Sequence, residues 1–573
     1  MGDVEISFDL GKLKKILLFG FLVAVLALEL NLTFTSPIAF GDEGVHVAVA
    51  RYIGTEVDYS KYTPLSGSVL YPENFARPAL WNIMEGSFYF LFGFSDGIVK
   101  FLVPFLSFLT GLSIYIFGRK LYSENLGIIA AVLAVTIPSF ITYSVLFYTT
   151  VPYVFFFTLA FLTGLTAIKT GERKWWVLSG IFSGVSILAN IAGLFLPVLF
   201  AVMGCYHLLT NRSMRGLVEA LKTYGLALLI IFLVVMPLFA RNYGLYATPD
   251  CNVRDIFQGR CSGDQAYEQV TANEFAGRNV GGGTEDSILN VGVATYLRFA
   301  YGFGVADPNV HPIVSAIVSF LNLVGLVFIP FSFIAGMAVL LRKRDVLSVT
   351  LLVSAIVFIV FFSWFGGLVE GRSEDTARYF LSATPLIGIA GAAYWSSIRK
   401  DDHKMNGLVV LAVIIIVFGL SFLGLYTKVA QMQSTKGFVP SFFQACDWVE
   451  ENLPEDARLL SLHNYPTRYN CDRPAVWETP DKADIVLSNN VTLVESRLEA
   501  NGLNYIFVQK FALSNTPFGQ NYPVSFVDFL EANNRTFTKV YENGPRYGTQ
   551  EFVNCVNGGG CDPGNIVYKV NFS

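Results

Sequence analysis

Over residues 1–426 the apolar positions of this chain do not alternate; they come in long unbroken runs. About 11 such runs, separated by short polar breaks, stand at 16–35, 98–117, 126–145, 151–168, 175–190, 191–209, 222–240, 312–340, 346–365, 379–397 and 406–426. A helix of about 20 residues crosses a bilayer core of about 30 Å, so runs of this length predict spanning helices. From about residue 437 the pattern changes. SFFQACDWVEENL predicts an amphipathic helix, ARLLSL and LNYIFVQK buried strands, PVSFVDFLEAN a further helix and NIVYKVNF a last strand. The expected fold class is therefore a polytopic α-helical membrane protein with a small extracytoplasmic α/β C-terminal domain. Residues 1–426 form the transmembrane part, with long loops at 36–97 and 241–311, and residues 427–573 form the tail.

Composition agrees: of 573 residues 53% are apolar and only 15% charged, which excludes a wholly soluble or disordered chain. The net charge of −4 conceals an asymmetry. Basic residues gather in alternate short breaks, at Lys12, Lys14 and Lys15, Arg119 and Lys120, Arg173 and Lys174, Arg342 to Arg344, and Arg399 and Lys400. Short loops rich in Lys and Arg stay in the cytoplasm, which places the N-terminus inside and both long loops and the tail outside. The first run, ending near small residues at Ser36 to Ala39, is read as a retained anchor rather than a cleaved leader. The compact loops suit a prokaryotic plasma membrane. Glu29 interrupts the first run in its outer third, either facing the bundle or reaching the interface, and the second reading is the simpler one. Apart from Cys205, the cysteines fall in external segments, which predicts disulfides. Local spacing favours Cys251 with Cys261, Cys446 with Cys471, and Cys555 with Cys561.

The segment FGDEGVHVAVARYI puts two adjacent carboxylates, Asp42 and Glu43, at the start of a predicted surface helix. Spacing alone leaves two readings. The pair can divide acid–base work at the mouth of a membrane cavity, or Asp42 can be an N-cap with Glu43 in the first turn. His46, four residues after Asp42, shares its face, and with Glu85 and His311 it could complete a divalent metal site, although no HxH or HExxH spacing supports one. Nothing in the tail reads as a phosphate loop, a nucleophile elbow or a metal motif.

The order of features resembles the GT-C superfamily of polyprenyl-phosphate-sugar-dependent glycosyltransferases, in its protein O-mannosyltransferase and aminoarabinose transferase branch. The matching pieces are Asp42 and Glu43, ARPALWNIMEGSFYFLFG from Ala76, FYTTVPYVFFF, PLFARNYGLY from Pro237 and TARYFLSATPL from Thr376. The resemblance covers roughly residues 10 to 400. It implies that Asp42 is the catalytic base with Glu43 assisting. It also implies that Arg378 and Tyr379 hold the donor phosphate, with Arg241 as a second cation and Arg77 and Asn242 as further substrate contacts. A planar guanidinium suits a phosphate at a membrane boundary.

Two positions depart from the family pattern. Thr149 and Thr150 stand before Val151 and Pro152 where many relatives carry an acid, and Asn190 stands where many carry a base. The function implied is inverting transfer of a sugar, a hexose, from a polyprenyl (dolichyl-type) phosphate to an acceptor hydroxyl on a glycan, protein or lipid. No cofactor is required, a divalent metal stays an option, and no nucleic acid is involved. The alternatives are a non-catalytic glycolipid-binding relative, motivated by Thr150 and Asn190, and a membrane transporter, which leaves the long loops and the tail without a role. A third is an oligosaccharyltransferase, which typically carries a WWDxG motif; here Trp175 and Trp176 are followed by Val177.

Overall fold

Where they are described, the apolar runs fold as helices, because a backbone removed from water must bond to itself. The computed structural model describes residues 10–35, 41–56, 80–93, 96–210, 213, 218, 220–246, 330–343, 345–369, 380–397, 440–462, 464–476, 482–514, 522–558 and 561–572. The helical part runs α1 Leu10–Thr35, α2 Gly41–Glu56, α3 Leu80–Phe92, α4 Asp96–Leu121, α5 Glu124–Val135, α6 Pro138–Ser144, α7 Thr150–Thr170, α8 Arg173–Ala189, α9 Phe195–Thr210, α10 Leu226–Tyr246, α11 Val346–Val369 and α12 Thr384–Ser397. Among the described residues, four helical stretches are long and apolar enough to cross a membrane: Leu13–Phe34, Val99–Leu121, Thr150–Thr170 and Leu221–Ala240.

The run 126–145, expected as one helix, is two. Pro138 has no N–H to donate, and its ring would strike the carbonyl of Ala134 if α5 continued. α5 therefore ends at Val135, and Pro138 opens α6 at its first position, where a missing N–H costs nothing. The run 191–209 begins with a single 3-10 turn, Ile191–Leu194, which Asn190 caps by accepting the Ala192 N–H at 3.0 Å. The run 406–426 lies outside the described residues.

Charge sorts the two ends of the bundle. At one end Lys15 lies 3.6 Å from Glu124 and Arg119 4.0 Å from the same carboxylate. There too Lys14 donates to Asn125 Oδ1 at 3.1 Å, and Lys120 sits 3.8 Å over the Trp175 ring. Exposed pairs of this kind stabilise little. They do show that the basic breaks lie together, as alternate loops of an antiparallel bundle must. α2 and the turn between α6 and α7 lie at the other end.

The C-terminal domain is built from α13 Pro440–Asn452, β1 Leu459–Ser461, α14 Asn464–Asn470, β2 Ala475–Val476, α15 Lys482–Val486, α16 Val491–Ala500, β3 Tyr505–Gln509, β4 Leu513–Ser514, β5 Tyr522–Pro523, α17 Val524–Ala532, β6 Phe537–Glu542, α18 Gln550–Gly558 and β7 Asn565–Val570. Its main sheet has the order β2-β1-β3-β7-β6. The first three strands are parallel, and β7 and β6 run antiparallel. The expected disulfides Cys446–Cys471 and Cys555–Cys561 are present, whereas Cys251 and Cys261 lie outside the described residues.

The domain is seated on α2. α14 packs along that helix, and Tyr469 reaches the hydrophobic core of the helical part. Arg51 Nη1 meets Asp472 Oδ1 at 3.0 Å. Asp472 has a left-handed backbone, with φ 45°. It is held between Cys471 in the disulfide and Arg473, whose guanidinium donates to the carbonyls of Glu450, Leu453 and Pro454 at the end of α13.

Two glycines let α2 and α3 touch backbone to backbone. A Cβ at Gly54 would lie 2.8 Å from Tyr89 Cβ and 2.9 Å from the Gly86 carbonyl oxygen; one at Gly86 would lie 2.8 Å from Ile53 Cγ2 and 2.9 Å from the Ala50 carbonyl oxygen. Close crossings between apolar helices depend on such small residues. Gly86→Val is therefore expected to force the helices apart and to lower stability by about 1–3 kcal/mol. Thermal unfolding in detergent or lipid checks this, and an unchanged midpoint would mean that the crossing gives way without cost.

Candidate functional site

α2 begins at Gly41, so Asp42 and Glu43 both lie in its first turn. Asp42 thus stands one position inside the helix rather than at the N-cap. The unpaired N–H groups of that turn favour a carboxylate on it. Glu43 is buried, and its Oε1 accepts the Phe147 N–H at 3.0 Å. That N–H comes from the turn 145–149, where the chain passes from α6 to α7.

His46, one turn further along α2, is buried with Nδ1 2.8 Å from Asn82 Oδ1 in α3. Three residues after Asn82, Glu85 lies on the same face of α3 and is fully buried. Neither of its oxygens has a hydrogen-bond partner among the described residues, and burial pushes its carboxyl well above the usual carboxylate range. The Asn82 contact occupies only one ring nitrogen of His46. Among the described residues no three His, Cys, Asp or Glu side chains come together as ligands. His311, the third expected ligand, lies outside the described residues.

Of the two threonines that stand before Val151 and Pro152, Thr149 meets Asn190. Asn190 Nδ2 donates to Thr149 Oγ1 at 3.1 Å, while Asn190 Oδ1 caps the 3-10 turn. Thr150 is buried at the start of α7. The turn 145–149 is therefore held at its centre by Glu43 and at its far end by Asn190.

Glu29 corrects an expectation. Read as reaching the interface, it is instead wholly buried, with Oε1 accepting from Ser107 Oγ at 3.0 Å and Ser144 Oγ at 2.6 Å. One oxygen of this carboxyl is thus met by hydroxyls from neighbouring helices, while Oε2 has no partner among the described residues. Of the expected phosphate-binding residues, Arg241 lies in the last turns of α10, as does Asn242. Arg77, Arg378 and Tyr379 lie outside the described residues. Sequence reasoning missed Asn82 and the Phe147 N–H. Asn82 left one readable signal: with Glu85 it is a polar pair at i, i+3 in an otherwise apolar helix.

Residues 77–240 match the family model described as dolichyl-phosphate-mannose-protein mannosyltransferase. Among curated proteins none matches the chain significantly. Several solved structures share its fold. ArnT from Cupriavidus metallidurans bound to undecaprenyl phosphate aligns with a TM-score of 0.59 at 12% identity, over 96% of this chain and 98% of that one. The archaeal oligosaccharyltransferase AglB from Archaeoglobus fulgidus, in complex with an inhibitory peptide and a dolichol-phosphate, aligns with a TM-score of 0.55 at 13% identity, over 93% and 74%. The arabinofuranosyltransferase AftD from Mycobacteria aligns with a TM-score of 0.50 at 13% identity, over 97% and 40%. The matched family and all three neighbours are of one superfamily, the one that the sequence features resemble.

Proposed function

The chain carries the GT-C fold, and from that premise we propose that it is a membrane hexosyltransferase. In this reading it moves one sugar from a polyprenyl phosphate, of the dolichyl type, to an acceptor hydroxyl. The observation that carries the reading is the family match over 77–240 on a chain whose Glu43, next to Asp42, is held by that same segment, through Phe147.

Asp42 takes the acceptor proton as the hydroxyl oxygen bonds to the anomeric carbon. The bond from that carbon to the carrier phosphate breaks on the opposite side, its electron pair leaves with the phosphate, and the configuration inverts. Arg378, with Tyr379 and Arg241, stabilises the departing charge. The donor bond is already activated, so no nucleotide and no cofactor enters. The braced end of the bundle faces away from the cytoplasm, because the basic loops gather at the opposite end. The sited C-terminal domain then lies where an acceptor glycan, protein or lipid approaches, on the outer face of a prokaryotic plasma membrane.

Thr149, beside the Thr150 that stands where many relatives carry an acid, accepts a hydrogen bond from Asn190, so the turn keeps its tie to the end of α8 without an acid and a base there.

The test is turnover of labelled polyprenyl-phosphate mannose and glucose by purified protein in lipid, following sugar release and transfer to added peptide or glycan. The expected result is one lipid phosphate released per sugar transferred. Saturable donor binding without turnover, with an active relative in the same assay, would establish the glycolipid-binding alternative instead.

A further inference from the structure

The proposed base and its neighbour are on α2, yet the turn that holds Glu43 is controlled from a different helix. Ser144, the last residue of α6, stands immediately before the turn 145–149. Its hydroxyl lies 2.6 Å from Glu29 Oε1 on α1 and 2.7 Å from the Ile141 carbonyl oxygen. Ser107 Oγ on α4 donates to the same Glu29 oxygen at 3.0 Å. One carboxylate thus ties α1, α4 and α6 together three residues before Phe147, whose N–H lies on Glu43.

The packing around it is apolar. Leu32 on α1 meets Ile141 and Val145, with Leu28 against them, so that α1 and α6 would remain in contact without the carboxylate. Apolar contact is non-directional and tolerates small slides of one helix on another. Two short hydrogen bonds to a single oxygen do not. Burying a carboxylate in a bundle is costly, and Leu at this position would pack at no such cost.

We propose that Glu29 is a positioning residue for the transfer reaction. By gripping Ser144 it fixes the turn 145–149, and through Phe147 it fixes the Glu43 carboxylate beside Asp42. This rests on the glycosyltransferase reading and adds to it a residue on α1 that touches neither donor nor acceptor. Its effect is on the aim of the acidic pair, so it acts on kcat rather than on donor affinity.

The experiment uses the full-length protein in lipid, with Glu29→Leu, Glu29→Gln and Ser144→Ala. Gln keeps an acceptor oxygen at the same place, whereas Leu and Ala each remove one side of the Glu29–Ser144 bond. Glu29→Leu and Ser144→Ala are each expected to lower kcat about tenfold, with the KM for donor within about twofold of wild type. Glu29→Gln should restore most of kcat. Hydrogen exchange is the second readout. Amides of residues 145–149 should exchange about tenfold faster in Glu29→Leu and Ser144→Ala but not in Glu29→Gln, with α4 and α7 unchanged.

Unchanged exchange at 145–149 in both of the first two variants overturns the proposal. So does a Glu29→Gln protein as impaired as Glu29→Leu, which, since glutamine keeps the volume and an acceptor oxygen, would show that the charge or proton of the carboxyl matters rather than the accepted hydrogen bonds. A wild-type protein that turns over no donor sinks the transferase reading instead, and the exchange measurement still decides whether Glu29 holds the turn.

Discussion

Asp42→Asn is expected to lower sugar transfer about 10²- to 10⁴-fold, the usual contribution of a positioned general base. Donor affinity should change by no more than about twofold, because the substitution keeps the shape of the side chain and removes only its capacity to take a proton. Glu43→Gln is the informative contrast. Glu43 Oε1 is already occupied by the Phe147 N–H in a buried setting. A glutamine oxygen can accept the same bond, so the expected loss is about tenfold or less. The order of the two variants separates a base from a residue that supports it. Single-turnover rates with saturating labelled donor check both. A larger loss in Glu43→Gln than in Asp42→Asn would reverse the assignment.

The described helices were readable because each carries its own signal, an apolar run, and four of these runs are long and apolar enough to span. The short breaks were less so. Pro138 in the middle of one run marked a helix start that an average over the run conceals, and Asn190 carried a cap signal that a charge-based reading treats only as a missing base. In the tail, the strands at 459–461, 505–509 and 565–570 followed from short apolar segments between turns. Sheet order was not readable, since β7 enters between β3 and β6 through pairings remote in the chain.

The acidic pair was legible as chemistry but not as geometry. Glu43 with Phe147, His46 with Asn82 and Glu29 with Ser107 and Ser144 join residues 36 to 115 positions apart. No local period records such a contact. Glu29 shows the consequence most clearly. A lone acid in an apolar run has the same sequence signature whether it reaches a membrane interface or lies in a bundle. What distinguishes the two is the presence of hydroxyls on other helices.

Glu542→Ala should have the largest effect on the C-terminal domain, a loss of about 3–5 kcal/mol, because it leaves a buried cation without its counterion. Lys510 is wholly buried, with Nζ 3.1 Å from Glu542 Oε1 and donating to the Pro545 carbonyl oxygen at 2.6 Å. Glu542 Oε2 lies 3.0 Å from Lys539, and the Tyr547 N–H donates to Oε1 at 2.7 Å. Burial alone would raise the Glu542 carboxyl, but the Tyr547 N–H and the two ammonium groups outweigh it and hold the carboxyl below its usual range. Burial pulls Lys510 below the usual lysine range in spite of the attraction of Glu542.

The sign of the pH dependence follows from the depressed carboxyl. The unfolded chain binds more protons there than the folded one, so stability rises with pH through that window. The contribution of Glu542 is complete above the ordinary carboxylate range, about pH 4 to 5, and is lost as pH falls through the lower folded value. Urea-dependent hydrogen exchange of the β6 and β7 amides measures both effects. Wild type should weaken as pH falls below about 4, and Glu542→Ala should be weak throughout with a flatter acid limb. Replacing both partners, Lys510→Met with Glu542→Leu, should recover most of the loss, since it removes the lone charge together with the pair. If the double variant is as unstable as Glu542→Ala, the cost lies in the shape of the β6–β7 edge and not in the uncompensated ammonium.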